Sequence, residues 1–113
     1  MIIKIKNYKI NAKVCNSFIS KAIGLMFALK PRNLLFVFNK EVIRGLHMLF
    51  VFFPIDVVFL DKNKKVVELK EGFMPFTFYR PRNKAMYVLE MAKGSVRRYR
   101  IKLGQRAIFK YAY

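Results

Sequence analysis

The chain has 113 residues, of which 55% are hydrophobic and 16% aromatic. This length encloses one hydrophobic core, and the apolar content excludes intrinsic disorder, so we expect a single domain over residues 1–113. The 23 Lys and Arg residues face only six Asp and Glu, which gives a formal net charge of +17. Networks of surface ion pairs need both signs in similar numbers. The basic excess therefore indicates an anionic partner or a lineage-wide bias toward lysine on solvated surfaces.

The longest apolar stretch, residues 46–60, is interrupted by a histidine, a proline and an aspartate. A membrane-spanning helix needs about twenty largely apolar residues, so no transmembrane segment is predicted. Residues 1–6 alternate apolar and basic side chains, unlike a secretion signal. The single cysteine, Cys15, cannot form an internal disulfide, which is typical of a reducing compartment. These features predict a cytoplasmic protein.

The first elements in chain order are a hairpin and a helix. Residues 2–6 and 9–14 alternate apolar and polar side chains, which predicts two strands joined by a turn at residues 7–8. Apolar side chains then recur at helical spacing over residues 17–27, behind a capping Asn16 or Ser17. A proline soon afterwards predicts a loop after this helix.

The rest of the chain predicts mainly strands, at residues 34–38, 46–53, 55–60, 65–69, 85–91 and 107–111. Turns are expected at residues 39–41 and 61–64, and an irregular crossing is expected at residues 76–79. The strand at residues 65–69 is more polar than the others and should lie at a sheet edge. Ser95 is expected to cap a short helix near residues 95–101, with Val96, Tyr99 and Leu103 on one side.

These elements predict a mostly β (α+β) fold with two helices. Many strands joined by short turns favour a curled, antiparallel-rich sheet or a partly open small barrel. The helix near residues 17–27 would cover it, and the short helix near residues 95–101 would follow the last long strand.

The residue inventory disfavours the common catalytic sites. A catalytic zinc ion takes three protein ligands, whereas this chain has one histidine and one cysteine. Six scattered acids make a poor magnesium site, and there is no glycine-rich phosphate loop or G-x-S-x-G nucleophile turn. We therefore predict no metal, no cofactor and no catalytic residue, and interpret Cys15 as a small buried hydrophobe.

Asp56 lies within a strongly apolar segment, where a carboxylate is costly to bury without partners. The structural interpretation is that it accepts backbone amides in the turn after Pro54 or pairs with one basic side chain. The functional interpretation places it in a pocket with a shifted pKa, near His47 or Glu90. The candidate pocket residues are Asp56, Glu90, His47, Met48 and Met26.

Basic side chains gather in two late segments, and the second interleaves arginine with tyrosine. Cations neutralise phosphates while aromatic rings stack on bases, so these segments favour nucleic-acid binding. The candidate residues are Arg80, Arg82, Lys84, Arg97, Arg98, Tyr99, Arg100, Lys102 and Arg106. No helix-turn-helix, zinc-finger or RNP motif accompanies them. An anionic membrane surface is the less favoured partner because no dedicated lipid-binding helix is evident.

Five short motifs occur in a distinctive order, at residues 24–27, 34–38, 47–48, 54–61 and 87–94. This ordered set, over residues 12–110, resembles domain-of-unknown-function family 192, also called uncharacterised protein family 0127. The resemblance implies a compact β-rich fold and no settled activity. An acid and an arginine usually precede G-L-M in that family, and a Trp-Met-x-Asn-Thr segment often precedes its Pro-Leu-Asp, but this chain departs at both places. A polar site shared with the family would have to rest on Asp56 and Glu90, which match.

Two functional hypotheses follow from the sequence. The first is a non-enzymatic binding domain whose basic face meets RNA or DNA. The alternative is a domain that binds or processes a small ligand in a pocket near Asp56, His47 and Glu90. The sequence leaves the oligomeric state open.

Overall fold

The computed structural model describes residues 1–16, 26, 28 and 30–111. Its elements are β1 (Ile2–Ile5), β2 (Tyr8–Asn11), β3 (Lys13–Cys15), β4 (Leu34–Val42), β5 (Leu46–His47), β6 (Ile55–Leu60), β7 (Val66–Phe73), β8 (Phe78–Tyr79), β9 (Ala85–Ala92), α1 (Ser95–Arg98) and β10 (Ala107–Lys110). The mostly β prediction is confirmed. The helix predicted over residues 17–27 lies outside the described residues, except for Met26.

The strands form a central sheet of five strands in the order β3-β4-β9-β6-β7, a three-stranded sheet β10-β1-β2, and the pair β5-β8. Every neighbouring pair is antiparallel except β3 and β4. The sheets are open and do not close into a barrel, so the curled-sheet prediction is confirmed. The more polar β7 lies at an edge of the central sheet, as expected.

Two hydrophobic cores lie on opposite faces of the central sheet, because successive side chains of a strand point to opposite faces. Core 1 packs Val58 and Leu89 of this sheet against Ile3 and Ile5 of the three-stranded sheet and Val96 of α1. Core 2 lies on the other face. Its buried members include Leu34, Phe36, Met48, Val57 and Phe59. The whole of β6 is buried because both of its faces are covered.

Two predicted boundaries in the middle of the chain were wrong. Residues 39–41 are not a turn but continue β4 to Val42, because a register irregularity lets β4 keep its pairing with β9. The strand predicted over residues 46–53 ends at His47, since Val51 N–H donates to the Met48 carbonyl (3.2 Å) and turns the chain. Residues 76–79 were expected to form an irregular crossing and not a central strand; they lie outside the central sheet, and their last two residues form β8, which pairs with β5.

The short helix near residues 95–101 exists, but its capping differs from the prediction. Gly94 occupies the N-cap with a φ of 92°, a left-handed conformation that glycine adopts without steric cost. The Ser95 hydroxyl donates to the Ala92 carbonyl (2.6 Å) and does not cap the helix. Val96 and Tyr99 pack on core 1, whereas Leu103 is 64% exposed and does not share their side.

No helix among the described residues is long and apolar enough to cross a membrane.

Candidate functional site

Asp56 is a buried structural clamp. Its side chain is 1% exposed on the core 1 side of β6, and its Oδ1 accepts a hydrogen bond from Gly72 N–H (3.0 Å). Its Oδ2 accepts from Gly94 and Val96 N–H, both at 3.0 Å. The carboxylate accepts backbone amides, as the structural interpretation requires, but these come from β7 and the start of α1, not from the turn after Pro54. It therefore ties the helix start to the central sheet.

Glu90 faces the opposite side of the central sheet from Asp56. It pairs in register with Val57 and Leu34, whose side chains lie in core 2, and in-register neighbours share a face. Although Glu90 keeps some surface exposure, burial of its carboxyl raises the pKa to about 7. Asp56 and Glu90 therefore do not share a pocket.

Cys15 is buried in core 2, as the sequence predicted for a small hydrophobe. Burial raises the pKa of its thiol, Lys13 opposes that shift, and the nearby Glu90 adds to it. Because the thiolate is the nucleophilic form, this raised pKa disfavours a nucleophilic role for Cys15.

Glu68 anchors the turn that carries the first group of candidate cations. Its carboxylate accepts from the Tyr79 hydroxyl, from Arg82 and Asn83 N–H (both 2.9 Å) and from Asn83 Nδ2 (3.0 Å). Burial favours the neutral acid, but these four donors outweigh it and lower the pKa of Glu68. The hydrogen bond between the Tyr79 hydroxyl and Glu68, together with burial, raises the pKa of Tyr79 to about 12. Sequence reasoning missed Glu68, because its donors come from a separate turn.

His47 lines a shallow depression of about 510 Å³ together with Gly45, Leu46, Phe78, Tyr79 and Arg80. Its side chain is exposed, and its Nδ1 accepts from Leu49 N–H (3.2 Å). The adjacent Met48 is buried in core 2, and Met26 is partly exposed. Of the five candidate pocket residues, His47 is the one that lines this depression. No group of three metal-ligating side chains comes together among residues 1–16, 26, 28 and 30–111.

The second group of candidate cations lines two adjoining depressions on the core 1 side. One, of about 290 Å³, is lined by Lys6, Asn7, Tyr8, Arg100 and Lys102. The other, of about 490 Å³, is lined by Leu69, Glu71, Val96, Arg97, Arg100, Ile101 and Lys102. They share Arg100 and Lys102, and we call the combined surface the basic groove. It contains four cations, Lys6, Arg97, Arg100 and Lys102, and one acid, Glu71.

Two cations of the basic groove have strained backbones. Lys6 has a φ of 53° and Arg100 a φ of 50°, left-handed values that are uncommon for residues other than glycine. Such strain persists only where the surrounding structure enforces it, and it clusters at functional sites. The rings of Tyr8, which lines the groove, and Tyr99 meet edge to face with centroids 5.8 Å apart. Arg98 lies over the Tyr99 ring, 5.4 Å from its centroid.

The nine candidate nucleic-acid residues do not form one surface. Arg97, Arg100 and Lys102 line the groove, next to Arg98 and Tyr99. Arg80, Arg82 and Lys84 precede β9, whereas Arg97, Arg100 and Lys102 follow it, and a strand of this length spans about 23 Å. The backbone of Arg106 forms an isolated antiparallel β-bridge with that of Lys65. Sequence reasoning missed Lys6 and Tyr8, because only the folded β1–β2 turn brings them to Arg100.

Comparisons with known proteins agree with this architecture. The family DUF192, described as uncharacterized ACR, matches residues 1–109. The UPF0127 protein PF1050 of Pyrococcus furiosus is 36% identical over 108 residues, covering 93% of this chain and 91% of the relative. The UPF0127 protein PH1112 of Pyrococcus horikoshii is 38% identical over 85 residues, covering 73% and 72%.

A crystal structure of a protein of unknown function from Novosphingobium aromaticivorans has the same fold. Its TM-score is 0.87 at 19% sequence identity, over 96% of this chain and 84% of that one. At this identity the likeness shows the fold alone. The family model and the archaeal relatives place this chain in the DUF192 family, whose relatives carry the name UPF0127.

Proposed function

We propose that residues 1–113 form a single, non-enzymatic, cytoplasmic binding domain that holds the phosphate backbone of single-stranded RNA or DNA in the basic groove. The observation that carries this proposal is the convergence of Lys6, Arg97, Arg100 and Lys102 on two adjoining depressions. Cations spaced along a groove follow a phosphate backbone, and neighbouring aromatic rings provide faces on which bases stack. Tyr8 and Tyr99 supply those rings.

The groove binds through side chains and not through the start of α1. Amides at a helix N-terminus often bind anions, but Asp56 already accepts the Gly94 and Val96 N–H groups. Phosphate recognition would then be electrostatic and strongly dependent on salt. A small ligand near Asp56, His47 and Glu90 has less support, because both oxygens of Asp56 are engaged and Glu90 faces the other side of the sheet.

The test is the anisotropy of labelled single-stranded RNA and of duplex DNA across a salt series. The groove variant Arg97→Glu/Arg100→Glu/Lys102→Glu is expected to weaken RNA binding at least tenfold more than the charge-matched variant Lys40→Glu/Lys62→Glu/Lys110→Glu, whose residues are exposed elsewhere. Loss of three phosphate contacts should also reduce the slope of log K against log salt by about 2. Thermal melting confirms that both variants fold.

Two results would contradict the proposal. One is an equal loss of affinity in the groove and control variants, which would show a response to net charge alone. The other is binding by the parent protein that is no tighter than roughly micromolar and indifferent to strandedness, which is typical of non-specific attraction.

A further inference from the structure

Six large apolar side chains are exposed on two neighbouring segments, the turn at residues 49–52 and the turn at residues 74–77 with the start of β8. They are Leu49 (38% exposed), Phe50 (46%), Phe52 (60%), Met74 (54%), Phe76 (50%) and Phe78 (72%). We call this set the aromatic apex. Isolated exposed apolar residues are ordinary, but a contiguous group of this kind marks an interaction surface. The turns extend from Met48 and Phe73 of core 2, so the apex and the basic groove lie on opposite sides of the central sheet.

Hydrogen bonds hold the two turns of the apex together. Met48 N–H donates to the Thr77 carbonyl and Phe76 N–H donates to the Met48 carbonyl, both at 2.8 Å. The Thr77 hydroxyl donates to the Met74 carbonyl at 2.6 Å. The Phe76 ring meets the Phe50 and Phe52 rings edge to face, with centroids 6.2 Å and 5.6 Å apart. The rings of Phe50, Phe52 and Phe76 therefore form a preorganised cluster, and Phe78 follows on β8.

Backbone strain is also concentrated in the apex. Phe50 has a φ of 56° and Phe76 a φ of 60°, and a left-handed backbone is unusual for bulky side chains. The two turns thus keep aromatic rings at the surface in a conformation that costs energy. Strain of this kind, enforced by the surrounding hydrogen bonds, is a feature of ligand-contacting segments.

The two chain segments that carry the apex contain no acidic residue, and Glu68, the acid that contacts Tyr79, Arg82 and Asn83 nearby, is buried. Residues 42–55 and 72–89 contain no Asp or Glu, and their cations are Arg44, Arg80, Arg82 and Lys84. Arg80 lines the same depression as Phe78 and His47. The surface therefore combines projecting apolar rings with neighbouring cations. Aromatic side chains favour the boundary between hydrocarbon and headgroups, and arginine and lysine attract anionic headgroups.

We propose that the aromatic apex docks the protein on an anionic lipid bilayer, with Phe52, Phe76 and Phe78 inserted at the interface and Arg44 and Arg80 against the headgroups. This surface shares no residue with the basic groove, so the inference goes beyond the proposed nucleic-acid function. The net charge of +17 complements the negative cytoplasmic leaflet. The rings provide the apolar contact that electrostatic attraction alone lacks.

The chain has no tryptophan, so a single substituted tryptophan reports its own surroundings. Phe78→Trp is expected to shift its emission to the blue on vesicles containing about 30% phosphatidylserine, and brominated acyl chains should quench it. Ile108→Trp, at an exposed position on β10, is the matched control and should show neither effect. Vesicles of phosphatidylcholine alone should give a much weaker response with Phe78→Trp. Equal quenching of the two tryptophans would overturn the proposal.

A second measurement separates insertion from charge attraction. The apex variant Phe52→Ser/Phe76→Ser/Phe78→Ser should reduce sedimentation with anionic vesicles at least tenfold, whereas Leu103→Ser/Ile108→Ser/Tyr111→Ser, which also removes three exposed apolar side chains, should change it less than twofold. Thermal melting checks the folding of both. Equal sedimentation of both variants would contradict insertion.

Other occupants of the apex give distinct results. RNA affinity that falls in the apex variant would assign the rings to nucleic acid, and a dimer of the parent protein lost in that variant would assign them to a second copy; either overturns the lipid proposal. The groove variant Arg97→Glu/Arg100→Glu/Lys102→Glu, combined with Phe78→Trp, should keep the quenching by brominated lipid. The two proposals can therefore fail independently.

Discussion

Asp56→Asn is expected to lower the free energy of unfolding by about 3 kcal/mol. The buried carboxylate accepts three backbone N–H groups, from Gly72, Gly94 and Val96. An asparagine amide presents one oxygen and one NH2 group, so at least one of the three buried backbone N–H groups must face the NH2 group, which is itself a donor. The loss should appear in urea denaturation followed by far-ultraviolet circular dichroism.

Asp61→Asn is the matched control for this substitution. Asp61 also accepts two backbone amides, Asn63 N–H (2.8 Å) and Lys65 N–H (3.0 Å), but in a solvent-exposed hairpin turn. Water can replace a hydrogen bond lost there, so we expect a cost of about 1 kcal/mol or less. Equal costs at the two positions would contradict the clamp assigned to Asp56. RNA binding by the folded Asp56→Asn protein should match that of the parent.

Glu90→Gln is expected to stabilise the protein at pH 8 by up to about 3 kcal/mol and to have little effect at pH 4. Burial raises the pKa of Glu90 to about 7 in the folded protein, whereas an unfolded glutamate has a pKa of about 4.3. Between these values the folded state binds a proton that the unfolded state lacks, so stability falls as the pH rises. Glutamine stays neutral throughout and escapes this loss.

The measurement is the free energy of unfolding of both proteins at pH 4, 5, 6, 7 and 8. The difference in the free energy of unfolding between Glu90→Gln and the parent protein should increase between pH 4.5 and 7 and stay constant above that range. Glu71→Gln, on the exposed face of the edge strand β7, is the control and should stay within about 0.5 kcal/mol of the parent protein. If the free energy of unfolding of Glu90→Gln differed from that of the parent protein by the same amount at every pH, burial would not raise the pKa of Glu90.

Local pattern was sufficient for much of the fold. The alternation of residues 2–6 and 9–14 predicted the first hairpin, although its turn lies at residues 6–7 and the second predicted strand divides into β2 and β3. The polar residues 61–64 identified the turn between β6 and β7. Apart from Asp56, β6 is apolar throughout, which indicated a strand covered on both faces, and both faces are covered. The prediction failed at two places. Polar residues lie inside a paired strand at residues 39–41, and apolar residues lie in a turn at residues 48–53. In both places long-range pairing outweighed local preference.

The candidate sites show the same division. The basic cluster around Arg97 was visible in the sequence. Its proximity to Lys6 and Tyr8 was not, because those residues belong to the β1–β2 hairpin of another sheet. The apex was missed because its first segment, residues 49–52, matched the pattern of a core strand, and its second, around residues 76–79, was interpreted only as an irregular crossing. Only the left-handed turns at Phe50 and Phe76 place those rings at the surface.

The sequence by itself determined the fold class, the excess of positive charge, the family and the need of Asp56 for partners. Composition and periodicity encode how strongly each segment prefers burial and which local shape it favours. The tertiary structure alone decided which distant groups meet. Asp56 contacts amides 16, 38 and 40 residues away, Glu90 turns to the other face of the sheet, and the cations separate into distinct surfaces. Strand order and register fix these neighbours, and no local pattern contains them.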